Sequence, residues 1–209
     1  STSLVTNVFA IALQRKHFRL EQQLRAFADS DELTQLPRRR RVLELGRRML
    51  HRAERLEQPI SALYIDADHF KSVNDRFGHD AGDRALRLIA REIRESLRSA
   101  DVCGRFGGEE FVALLWGTEP SEAAHIAERL RRRISELRFD VMLTISVGVA
   151  QHVRGEQIDR VIRRADAALL DAKDSGRNRV VIARETVEHA PAFANITAEH
   201  VDAKLTESY

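Results

Sequence analysis

The chain has 209 residues, 43% hydrophobic and 32% charged, and 34 basic side chains nearly cancel 32 acidic ones to leave a net charge of +2. That apolar content with so little net charge excludes a disordered chain, and the charge balance carries no electrostatic signature of a nucleic-acid binder. The single Cys103 excludes an internal disulfide framework and a cysteine metal cluster, and it fits a reducing compartment.

No run of about 18 apolar residues occurs, so neither a complete transmembrane helix nor a signal peptide is expected. Residues 4–13, LVTNVFAIAL, are mostly apolar and precede Gln14-Arg15-Lys16. Two readings stay open: the last turns of a transmembrane helix with basic residues at its cytoplasmic edge, or a surface helix with one apolar face. Leu13, His17, Leu20, Leu24 and Phe27 then follow heptad spacing over about two heptads. This fits a stalk pairing two chains, or an amphipathic helix lying on its own domain.

Helical spacing at Val42, Leu45, Met49, Ala53 and Leu56 predicts a helix over 38–57, ending near Pro59. A short apolar run predicts a buried strand over 60–65, and Leu86, Ile89, Ala90, Ile93 and Leu97 predict a helix over 81–97. Strands are expected at 102–105 and 111–116 around a Gly107-Gly108 turn, followed by a helix over 121–137 capped by Ser121. A strand over 141–150, a helix over 158–174 and a last strand over 179–183 complete the pattern. Strands alternating with helices imply a layered α/β domain. The chain thus divides into a stalk at 1–30, a domain at 31–183 and a tail at 184–209.

Four segments carry chemistry. Asp66-Ala67-Asp68 sits at a strand end, where two carboxylates of one strand face can hold Mg²⁺ or cap the next helix. Gly107-Gly108-Glu109-Glu110 puts two acids after a flexible turn, more charge than a hairpin needs. Lys173 and Arg177 lie four residues apart near a helix end; they can share an anion or complement the helix dipole. Residues 74–83, NDRFGHDAGD, form a loop entering a helix, rich in side chains able to read a base edge or simply to make a turn. Runs such as Arg38-Arg39-Arg40-Arg41 and Arg131-Arg132-Arg133 have acidic neighbours and no aromatic interleaving, and read as solvated helix faces.

Together DADHFKSVNDRFGHDAGD at 66–83, GGEEF at 107–111, AKDSGRN at 172–178 and DELTQLP at 31–37 resemble the GGDEF family of diguanylate cyclases. The resemblance implies a palm-like nucleotidyl-cyclase fold, with a mostly antiparallel central sheet flanked by helices. It implies condensation of two GTP into cyclic di-GMP and two pyrophosphates in a bacterial second-messenger pathway.

By the same resemblance, Asp66, the Ala67 main-chain carbonyl and Glu109 bind Mg²⁺ or Mn²⁺. Glu109 helps activate the attacking 3′-hydroxyl, Glu110 supports the metal site, and Lys71 offsets phosphate charge. Lys173 and Arg177 hold the terminal phosphates, Asn74 and Asp83 read guanine, and Phe70 and His79 line the nucleotide site. Arg98 and Asp101 form the family's inhibitory product site, joined by Arg129, Arg132 or Arg133 of a second chain. One chain binds one GTP, so a homodimer is implied, with an upstream sensory domain and a cytoplasmic catalytic domain whose whole protein is anchored at the inner membrane or free. The alternative is a catalytically silent module that senses GTP or cyclic di-GMP.

Three positions depart from the family pattern. Gln35 stands where Gly is usual and Arg38 where Asn is usual, which touches turn geometry alone. Leu170 replaces a common Tyr, which is expected to be a matter of packing.

Overall fold

The computed structural model describes residues 29–184 together with Gln14. The stalk at 1–30 therefore lies almost wholly outside the described residues, and the tail at 184–209 likewise. Within them the chain runs α1 (Arg39–Leu56), β1 (Ile60–Ala67), α2 (Phe70–Phe77), α3 (His79–Ser96), β2 (Val102–Arg105) and β3 (Glu110–Trp116). It continues through α4 (Pro120–Ser135), β4 (Ile145–Gln151), α5 (Ile158–Asp174) and β5 (Val180–Ile182).

The strands form one sheet in the order β2-β3-β1-β4-β5. All pairings are antiparallel except β4 with β5. β1 is central, and all eight of its residues are buried, as a strand covered on both faces requires. Side chains alternate across it. Leu63, Ile65 and Ala67 join a core formed with α3 and α4. Ile60, Ala62 and Tyr64 face a second core with Val42, Met49 and Ala53 of α1 and Val161, Ala165 and Leu169 of α5. The sandwich of helices on both faces of a mostly antiparallel sheet is the architecture the motifs imply.

Several boundaries differ from the sequence expectation. Residues 74–83 are not a loop entering a helix: α2 and α3 meet at Gly78, whose φ of 81° turns the chain between them. Val73 is the one buried residue of α2, so no apolar period announces that helix. β1 runs two residues beyond 65, and β4 begins at Ile145 rather than 141 because residues 141–144 join no ladder. α4 starts at Pro120 with Glu119 at its N-cap, so Ser121 lies inside the helix. Leu170 is 59% exposed, so its departure is not one of core packing.

Candidate active site

The strand alternation decides what Asp66 faces. It continues the Ile60, Ala62, Tyr64 series towards α5, and there Lys173 Nζ lies 2.8 Å from its carboxylate. Its direct cross-strand partner on β3 is Glu110. Like charges directly opposite in a ladder destabilise it, so this pair opposes the fold that holds it. Glu109 adjoins through the backbone, its carbonyl accepting the Ala67 N–H at 3.2 Å.

Burial pushes the Asp66 carboxyl above the usual range, with Lys173 opposing and Asp68 assisting. Burial, then the charge of Asp66, raises Glu109 and Glu110 as well. Three acids are thus crowded around the Lys173 ammonium, with the guanidinium charges of Arg177 acting on Asp66 and of Arg39 on Glu110.

The hairpin bearing Glu109 is braced by Arg105. Its guanidinium donates to the carbonyls of Gly107 at 3.2 Å and Gly108 at 2.6 Å, and pairs with Asp31 at 2.9 Å. Asp31 also accepts from the Thr34 N–H and hydroxyl. The opening turn at 31–37 is thereby bolted to the acidic hairpin. Sequence reasoning assigned Arg105 no role; its place directly before Phe106-Gly107-Gly108 was the available signal. In that turn Gln35 adopts a φ of 59°, which explains why a glycine suits the position. Arg38 donates to the Ser30 carbonyl and pairs with Glu32.

Asp68 is not a second carboxylate free for a cation. It accepts from Thr144 Oγ1 at 2.8 Å, Ser146 Oγ at 2.7 Å and the Asn178 N–H at 3.0 Å. Its spacing from Asp66 matches a ligand pair, and its surroundings do not.

The remaining candidates fall into two groups. Asn74 on α2 packs its side-chain amide against Gly82 of α3, with Phe70 beside it. Asp83 follows on α3, 3.9 Å from Arg87. Lys71 and His79 are exposed on these same two helices. Arg177 sits in the turn after α5 with a φ of 60°.

The second group lies at the other end of the sheet. Asp101 accepts from the N–H groups of Arg98 at 2.8 Å and Trp116 at 3.0 Å. Trp116 pairs with Ile60, six residues from Asp66, so this group lies about 20 Å along the strand from the acids. Arg98 is paired with Glu122 at 3.1 Å, and Arg129 reaches the Ser96 carbonyl. Arg129, Arg132 and Arg133 line an open groove of about 390 Å³ on α4.

Among the described residues no three His, Cys, Asp or Glu side chains converge as a ready metal cage, and no helix is long and apolar enough to cross a membrane. Mg²⁺ does not need such a cage: it is held by one or two carboxylates, waters and substrate phosphates.

These features meet their match in known proteins. The family described as "Diguanylate cyclase, GGDEF domain" matches residues 28–179. A diguanylate cyclase of Vibrio cholerae is 40% identical over 173 residues, 81% of this chain and 54% of that protein. The structure of an active GGEEF domain of a diguanylate cyclase from Vibrio cholerae is 40% identical, with a TM-score of 0.70 over 73% of this chain and 100% of that one. The coiled coil and GGDEF domain of DgcB from Caulobacter crescentus, in complex with c-di-GMP, is 30% identical, with a TM-score of 0.77 over 87% of this chain and 98% of that one. The chain belongs to the GGDEF family of diguanylate cyclases. It spans about half the length of the Vibrio relative.

Proposed function

We propose that this chain condenses two GTP molecules into cyclic di-GMP, releasing two pyrophosphates. The observation that carries the reading is the meeting of Asp66, Glu109 and Glu110 with Lys173 at one end of the central strand. Phosphoryl transfer asks for positioning and charge neutralisation rather than covalent catalysis. Degenerate members that merely sense nucleotides have little use for three crowded acids.

The donor set is hard oxygen, which fits Mg²⁺ or Mn²⁺. Asp66, the Ala67 carbonyl and Glu109 would hold the ion, with phosphate oxygens completing its shell. It would supply charge neutralisation at the phosphates. Glu109 orients the 3′-hydroxyl and takes up its proton, and Glu110 supports the same corner. Lys173 and Arg177 bind the terminal phosphates; Lys71 adds positive charge. Asn74 and Asp83 offer an amide and a carboxylate to guanine's acceptor and donor edge, which adenine leaves unpaired. Phe70 and His79 flank the nucleotide.

A ring made from two nucleotides needs two facing sites, so the acting species is a homodimer. The heptad at 13–27 supplies a means of pairing, in keeping with the coiled coil joined to the DgcB domain. Arg98 and Asp101, with Arg129, form the product site: the Arg98 guanidinium is exposed and swaps Glu122 for a phosphate.

The test is purified protein with GTP and Mg²⁺, products separated by chromatography and identified by mass, beside Glu109→Ala. Cyclic di-GMP from the wild type alone supports the reading. Intact nucleotide binding without product at any protein concentration supports a sensing module.

A further inference from the structure

Asp68 has three donors, and each comes from a different place. Thr144 precedes β4, Ser146 lies within it, and Asn178 follows α5. The Asp68 N–H in turn donates to the Thr144 carbonyl at 2.9 Å. The side chain is buried, so these bonds are made away from water, where a carboxylate needs every donor it can find.

The turn it holds is strained. Arg177 and Asn178 are consecutive residues with φ of 60° and 45°. Side-chain-bearing residues rarely adopt that region, and they stay there only where the surroundings fix them. The Arg177 N–H donates to the Ala172 carbonyl at 3.0 Å, its carbonyl accepts from Arg179 Nε at 3.1 Å, and Asn178 Oδ1 accepts from Arg131 at 2.7 Å. The next residue, Arg179, is held to β4 by the Val147 N–H at 2.9 Å, and the Asp68 carboxylate holds Asn178 itself through its amide. The end of β1 and the residue just beyond it therefore grip the end of α5 at two points: Asp66 through Lys173, and Asp68 through Asn178.

We infer that Asp68 is a positioning residue that sets the Arg177 turn for the triphosphate of the nucleotide. The inference rests on the reading that Lys173 and Arg177 take the terminal phosphates. Three donors converge on the carboxylate, and its charge strengthens each bond. An amide in its place makes a hydroxyl turn round to accept from its N–H₂ and strips the charge assistance from the bond to the Asn178 N–H.

The sign of the effect separates this role from simple electrostatics. Removing a negative charge near a triphosphate site tightens binding by Coulomb's law alone. A positioning role demands the opposite. The probe is 3′-deoxy-GTP, which lacks the attacking hydroxyl and cannot condense, beside 3′-deoxy-GMP, both titrated calorimetrically with Mg²⁺ into the full chain. Asp68→Asn should weaken the triphosphate about tenfold, the scale of the charge assistance lost from these bonds, and leave the monophosphate within about twofold. Hydrogen exchange at the Asn178 amide should accelerate.

Arg177→Ala is the control. If it abolishes the preference for triphosphate while Asp68→Asn keeps or strengthens it, the positioning role is overturned and the phosphate reading stands. If Arg177→Ala keeps the preference, the phosphate reading falls and takes the inference with it. Equal weakening of both ligands by Asp68→Asn marks a merely structural residue and also overturns the role. Should Asp68→Asn fail to fold, Ser146→Ala removes one orienting donor, and the same criteria apply to a smaller loss.

Discussion

Gly148→Ala tests how closely α5 must lie on the sheet. Gly148 sits in β4, paired with Tyr64 of β1 on one side and Val181 of β5 on the other. A Cβ there would meet three backbone atoms of α5: the Ala165 carbonyl oxygen and Leu169 nitrogen first, then the Ala168 carbonyl carbon at 2.9 Å. Ordinary contact begins at 3.4 Å, so even the farthest of the three must retreat by half an ångström. None is a side chain that can rotate away. Overpacking of this kind costs about 1–3 kcal/mol. The stiffer unfolded chain of an alanine variant offsets about 0.4–1 kcal/mol. A net loss of about 1.3 kcal/mol lowers the melting temperature by roughly 3–5 °C in a domain this size. The same shift moves Lys173, now 2.8 Å from Asp66, so cyclase activity falls even well below the melting point. Thermal melts and product formation are measured on the same preparation. A variant melting within about 1 °C of the wild type, with unchanged activity, would refute the packing argument.

Gly82→Ala should separate binding from stability. Its Cβ would meet the Asn74 amide, with Cγ at 3.0 Å, and Phe70 Cζ at 3.1 Å, both ends of side chains that can move. The melting point should hold or rise with the better helix former, while KM for GTP rises about tenfold as Asn74 is displaced from guanine. Gln35→Gly relieves the left-handed residue of the opening turn and should stabilise the chain by about 0.5–1 kcal/mol, read from denaturant midpoints. Glu128 is held down to about 2 by hydrogen bonds from Arg131 and Arg132, against an ordinary 4.5. Its stabilisation is complete above the ordinary value and lost as pH falls towards 2. After discounting for solvent it amounts to about 1 kcal/mol, and Glu128→Gln should flatten the fall in stability between about pH 5 and pH 2. Glu109 titrates the other way: its raised folded value means stability drains away as pH rises past the ordinary carboxylate range. Glu109→Gln should therefore melt higher than wild type in chelator at neutral pH while making no cyclic di-GMP.

The parts of the fold that were legible from sequence are those with a strong apolar period. The helix from Ile158 to Asp174 emerges at its predicted limits, since Val161, Ile162, Ala165, Ala168 and Leu169 make one continuous buried stripe. β1 was legible as buried, though not its last two residues, because Asp66 interrupts the apolar run without leaving the ladder. α2 was not legible: it buries Val73 and little else. The acids of the site stood out by their excess of charge. What escaped was which of them faces what. Asp66 and Asp68 look equivalent in sequence, and only the arrival of Thr144, Ser146 and Asn178 from more than 70 residues away distinguishes them.

That difference explains how one strand end both anchors and strains the domain. Asp68 is rich in donors and serves as a hub for β4 and the turn beyond α5. Asp66 is poor in them: it faces Glu110 across the ladder, with Lys173 the one cation in contact and Arg177 acting from farther off. A sequence selected for stability alone would not place a carboxylate pair opposite one another at the end of a wholly buried central strand. The conflict can persist because the rest of the strand is over-determined by two cores. Asp66 and Glu110 are held opposite one another by the β1–β3 ladder, so their repulsion is of the kind that a bound cation would relieve.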